Sequence, residues 1–130
     1  MPITDQPTRK VDARLIGNWI SSDGTERIRI RQLNDSTYII SYFALLFRAY
    51  HSDIDGISFI NIQELETPER NYIYMVYILS ADGNKLYIRM VNEDVVPDAT
   101  KDSITVRKLL KNNLQNPFLF RGQAEFTKTK

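Results

Sequence analysis

The sequence predicts a mainly β protein: an up-and-down antiparallel meander of about eight strands that closes into a barrel, with one short helix before the last strand. Three observations carry that prediction. Turn signals punctuate the chain at short intervals, among them the Asp-Gly pairs at Asp23, Asp55 and Asp82, which tolerate the positive φ of tight hairpins. The runs between turns alternate apolar with polar residues or are rich in β-branched and aromatic ones. Only the segment from Asp102 to Leu114 has helical periodicity. Short turns favour a meander over long crossovers, and closure removes the edges of a sheet.

Residues 1–13 hold two prolines and no periodicity, so they read as a flexible leader or tether, with the barrel domain spanning 14–130. The first strand begins at "LIGNW", Leu15 to Trp19. In Thr25–Leu33, Ile28 and Ile30 share one face and Arg27, Arg29 and Arg31 the other, the pattern of a strand with one wet side. Ser36–Phe43 follows, and Leu46–Ile54 continues it after a bend near Ala44. Ile57–Leu65, Asn71–Ser80 and Lys85–Val91 are the next strands. The run Tyr72–Leu79 is apolar or aromatic on both faces, so it is covered on both sides, and the pattern leaves open which face points inward.

The helical segment places Val106, Leu109, Leu110 and Leu114 on one face. Asp102 or Ser103 caps its start, and Asn116-Pro117 stops it. It is expected to plug or flank one end of the barrel. "FLFRGQAEFTK" then supplies a closing strand.

Bulk composition excludes several function classes. The chain has 130 residues, 42% hydrophobic and 25% charged, as expected for one folded domain. It lacks cysteine, which removes disulfides, thiolate metal sites and a thiol nucleophile. The formal net charge is +1, but residues 51–100 carry three basic and nine acidic side chains, and residues 101–130 seven and two. The basic C-terminal stretch reads first as solvated Lys and Arg around a helix. The longest apolar run, "YFALLF", is strand-sized, and the leader contains no signal-peptide core.

No catalytic group stands out. His51, the only histidine, shares a strand face with Asp53, a conceivable base and orienter, but Ser52 points the other way, which disfavours a serine hydrolase. "EDVVPD" (Glu93–Asp98) gathers three carboxylates without calcium-loop spacing and reads as a solvated loop, so no metal is expected. No Gly-rich phosphate loop is present, so no cofactor is expected either. The arginine stripe of Thr25–Leu33 raises nucleic acid as a partner, but Glu26 beside it and the acidic middle of the chain argue against one. The tyrosines fall in predicted strands. Tyr38, Tyr42, Tyr74, Tyr77 and Tyr87 are the candidate ligand-binding residues of the lumen, with core filling as their alternative role.

Gly17 and Trp19 are read as architecture. The glycine lets the backbone bend into the barrel, and the indole lies across the closed end as a plug. Arg107 and Arg121 are the candidates to stack on it. Gly17-Asn18-Trp19 at the head of a β-meander resembles lipocalin-like (calycin) barrels. The sequence is most similar to small bacterial lipocalin-like proteins, many of them lipoproteins. The shared order of features runs through Asp23-Gly24, Tyr38–Tyr42, Leu46–Ile62, the helix at Asp102–Asn113 and "FLFRGQAEF". The resemblance implies no catalytic residues. It implies a non-enzymatic binder of a small apolar or amphipathic molecule, located in the cell envelope (periplasm or outer membrane) and lipid-anchored through a tether absent from this chain. The alternative is a packed barrel that acts as a protein-interaction or inhibitor module through its outer surface.

Overall fold

The computed structural model describes residues 1–97 and 102–129. Eight strands form in chain order: β1 (Gly17–Ser21), β2 (Arg27–Asn34), β3 (Thr37–Tyr42), β4 (Leu45–Ile54), β5 (Ile57–Glu64), β6 (Tyr72–Leu79), β7 (Lys85–Val91) and β8 (Phe120–Thr129). Helix α1 (Ser103–Asn112) precedes β8. Each strand pairs antiparallel with the next, and β8 pairs with β1, so the meander is a closed barrel. Among the described residues no helix is long and apolar enough to cross a membrane.

Strand alternation sorts side chains into two apolar layers. Inside the barrel lie Trp19, Ile30, Tyr38, Ile40, Ala49 and Ile60, with Met75, Leu86 and Phe126 completing the ring. Outside it, Ile54, Phe59, Tyr74 and Val91 form a second core with Val106, Leu110 and Ile3. This decides the orientation that the sequence left open. On β6, Met75, Tyr77 and Leu79 pack into the lumen, while Tyr72, Tyr74 and Val76 face the outer layer. The helix, expected at one end, lies against the outer wall instead, because its apolar face matches the outward Ile54, Phe59 and Tyr74. Its start is capped as predicted: Oδ1 of Asp102 accepts the Thr105 N–H at 2.7 Å.

The leader, read from sequence as a flexible tether, is seated on the barrel. Ile3 is fully buried, and its N–H donates to Oδ1 of Asn61 at 2.7 Å. Tyr50 donates its hydroxyl to the Thr4 carbonyl at 2.6 Å, and the Thr8 N–H reaches the His51 carbonyl at 3.0 Å. Arg107 of α1 closes over the segment by donating to the Ile3 carbonyl at 2.9 Å. The partners come from β4, β5 and α1, far away in sequence, which is why local pattern gave no sign of this seat.

Turn chemistry follows the sequence with one exception. At Asp23 the carboxylate accepts the Ser21 hydroxyl at 2.6 Å and the Thr25 N–H at 3.0 Å, and these bonds hold it down at about 2. Asp55 and Gly56 take φ of 49° and 82°, the mirror-type turn that Asp-Gly favours. The exception is Phe43-Ala44. The expected bend is a complete reversal, with Tyr42 opposite Leu45 and φ of 50° and 63° at the two central residues. A left-handed conformation costs a side-chain-bearing residue roughly 1 kcal/mol or more, so this hairpin is built from residues that disfavour it.

Candidate functional site

The two ends of the lumen are built differently. At the closed end the chain enters through a 3-10 turn, Ala13–Leu15, whose N-cap is Asp12. The Trp19 indole N–H donates to the Leu15 carbonyl at 3.0 Å, and Trp19 is 1% exposed. The cation over its ring is Lys128, 5.3 Å from the centroid, and neither Arg107 nor Arg121 takes that place. Lys128 is Trp19's register partner on β8, whereas Arg107 is occupied by the leader and Arg121 stands at the opposite end of the lumen. Gly17 suits this position because its φ is +149°, and a Cβ there would push aside the flexible end of the Lys128 side chain, which it would meet at 2.7 Å.

Beside the indole lies a satisfied polar network. The Asp12 N–H donates to the Tyr38 hydroxyl at 2.6 Å, and Tyr38 lies 2.6 Å from Nε2 of His51. Nδ1 of His51 is 2.9 Å from the Ser58 hydroxyl. With its oxygen accepting from Asp12, Tyr38 donates to Nε2, and Nδ1–H donates to Ser58. That pattern fits a neutral imidazole. Burial pushes His51 down to about 4 and Tyr38 up to about 12. Tyr77 donates to Oδ2 of Asp12 at 2.9 Å, and burial first, then this bond, raises its hydroxyl pKa. Burial pulls the Asp12 carboxyl upward, but hydrogen bonds from Arg14 and Tyr77 outweigh it, so its pKa is lowered overall.

The conceivable His51–Asp53 pair does not form. Ser58 and Tyr38 occupy both ring nitrogens, and Asp53 binds Arg9 of the leader at 3.1 Å. Ser52 faces outward, where its hydroxyl accepts from Asn61 at 2.8 Å. Of the "EDVVPD" segment, Glu93 pairs with Arg121 at 3.4 Å and Val96 is buried, while Asp98 lies outside the described residues. Among the described residues no group of three or more His, Asp or Glu side chains is placed to hold a metal ion.

At the other end the lumen opens into a cavity of about 490 Å³. Its walls are apolar: Ile28, Ile30 and Ile40 on one side, Ile62, Ile73 and Met75 across from them, closed by Ile88, Met90, Phe47, Ala124 and Phe126. The polar lining is confined to Glu26, Tyr42, Arg121 and Gln123. Tyr42 hydrogen-bonds Glu26, and that bond first, then burial, raises its hydroxyl to about 12. The Arg121–Glu93 pair is more than half exposed on both sides and so contributes little stability. This geometry can take up an elongated apolar body and leave a polar group at the rim.

The five candidate tyrosines therefore separate. Tyr42 lines the cavity. Tyr38 and Tyr77 point inward but are committed to the closed-end network. Tyr74 is corrected: it faces the outer layer, where its hydroxyl donates to the Met1 carbonyl at 2.5 Å. Tyr87 is corrected too. It alternates with Leu86 and Ile88, both in the lumen core, so it lies on the outer wall. The actual lining is mostly isoleucine and methionine. Sequence reasoning passed over these residues because such side chains are ordinary core fillers, and only closure of the barrel shows the space between them.

Compared with known proteins, the chain matches no family profile, no curated protein and no solved structure.

Proposed function

We propose that this barrel binds a small apolar or amphipathic molecule in its open half and performs no chemistry on it. The observation that carries the reading is the cavity. Its volume of about 490 Å³ falls within the ~300–1,000 Å³ range of small-molecule sites, and its few polar groups stand together at the rim. An apolar wall with a polar rim suits a molecule with one polar end. The lone imidazole supports binding over catalysis, since His51 is fully buried with both nitrogens engaged. An interior with this much space also favours this reading over a solidly packed interaction module.

We further propose that the protein is a lipocalin-like (calycin) member of the bacterial cell envelope, held there by a lipid anchor. The closed eight-strand meander with Gly17 and Trp19 at its closed end supports that reading.

The test is titration with anilinonaphthalene sulfonate, a fluorescent amphipath, on the native protein and on Ala124→Trp. Ala124 lines the cavity, and an indole there occupies part of it. Saturable one-to-one binding that Ala124→Trp abolishes, with the fold unchanged by circular dichroism, is the expected result. Absence of saturable binding, or equal binding by a folded Ala124→Trp, would overturn the proposal.

A further inference from the structure

The outer wall of the barrel is divided as clearly as its interior. One side is covered by α1 and the leader. The side formed by β1, β2, β3 and the start of β4 is bare, and it is basic. Arg27, Arg29 and Arg31 all point outward from β2 and are exposed, about 6.8 Å apart along the strand. Arg48 joins them from β4, set opposite Ile39, which also faces Arg31. Among the described residues none of the four pairs with a carboxylate. Glu26, the acidic neighbour that argued against this stripe in the sequence, turns into the cavity mouth and leaves the charge uncompensated.

A second feature borders the same wall. The strained β3–β4 hairpin holds Phe43 in solvent at 63% exposure, and Leu46, which faces outward beside Ser41, is 42% exposed. Non-glycine residues in left-handed conformation mark places where the surroundings, not local preference, decide the backbone. An exposed aromatic tip and an adjacent leucine next to arginines that, among the described residues, have no carboxylate partner suit one surface in particular.

We infer that the β2–β3 wall and the Phe43 hairpin dock onto an anionic lipid surface, with the arginines on phosphate groups and Phe43 and Leu46 in the headgroup region. A lipid surface accepts both halves of the patch, whereas an acidic peptide would use only the charge. Single-stranded nucleic acid would call for aromatic platforms between the arginines, and the outward positions of β1 to β3 flanking the stripe are Asn18, Ile20, Ile39 and Ser41. Because Tyr42, next to Phe43, lines the cavity, docking would set the open end of the lumen beside the lipid.

The experiment is co-sedimentation of the whole chain with phosphatidylcholine vesicles and with vesicles containing phosphatidylglycerol. Binding is expected on the anionic vesicles only, and it should weaken with added salt. The combined variant Arg27→Gln, Arg29→Gln, Arg31→Gln should lose about fivefold in partitioning per arginine removed. Phe43→Ser should weaken binding while leaving its salt dependence in place. Equal binding to both vesicle types, or anionic binding that the arginine variant retains, would overturn the inference. So would failure to bind vesicles together with arginine-dependent binding of polyglutamate or single-stranded DNA.

Discussion

The closed and open halves of the lumen share eight strands and one alternation rule, yet they are finished in opposite ways. The closed half holds the large side chains Trp19, Tyr38, His51 and Tyr77, each with a hydrogen-bond partner. The open half is walled by Ile, Met and Phe side chains that do not meet in the middle. A barrel of this size can be filled or left with space inside, and here one half is filled and the other encloses a cavity. Side-chain size and the entry of the chain at Asp12 make the difference, not the backbone architecture.

The comparison breaks if truncations at the two ends cost the same. Trp19→Ala should destabilise the fold by roughly 3–5 kcal/mol, since it empties a packed site. Met90→Ala, on a wall that already faces open space, should cost about 1–2 kcal/mol. Urea unfolding followed by circular dichroism measures both. Similar losses would mean that the open half is packed after all.

Acid sensitivity sharpens the contrast, because the buried imidazole belongs to the closed half alone. Burial holds His51 at about 4 in the folded protein against 6.5 for the free side chain. Between those values the unfolded chain binds a proton that the folded chain does not, so stability is complete above the window and falls as pH drops through it. The full effect is about 3 kcal/mol. His51→Gln should flatten the urea midpoint over that range while leaving probe binding at the open end intact.

The smallest expected effect concerns the rim. Ala44 holds a φ of 63°, so Ala44→Gly should relieve about 1 kcal/mol of backbone cost and raise the melting temperature slightly. A loss of stability would mean that the Ala44 methyl makes a contact that outweighs the strain.

The same two-sided pattern explains what was legible in the sequence. Asp-Gly turns, the Arg27–Arg31 alternation and the Asp102 cap are local features, and each stands where the sequence put it. What was hidden depends on contacts distant in the chain. Tyr72–Leu79 is apolar on both faces, so only its register against β5 and β7 shows that Tyr74 points out and Tyr77 in. The leader is polar and aperiodic, and its seat depends on Asn61, Tyr50 and Arg107. Phe43-Ala44 carries no turn residue at all. The lysine on Trp19 comes from the last strand, more than a hundred positions away.

The most direct test of the divided lumen is methyl NMR of the native protein titrated with anilinonaphthalene sulfonate. Shifts are expected only at the open-half methyls, those of Ile62, Met75, Ile88 and Met90, with Leu15 and Leu86 at the closed end unmoved. Shifts at the outer-wall methyls of Ile78 and Ile104, or no saturable shifts inside the barrel, would contradict it.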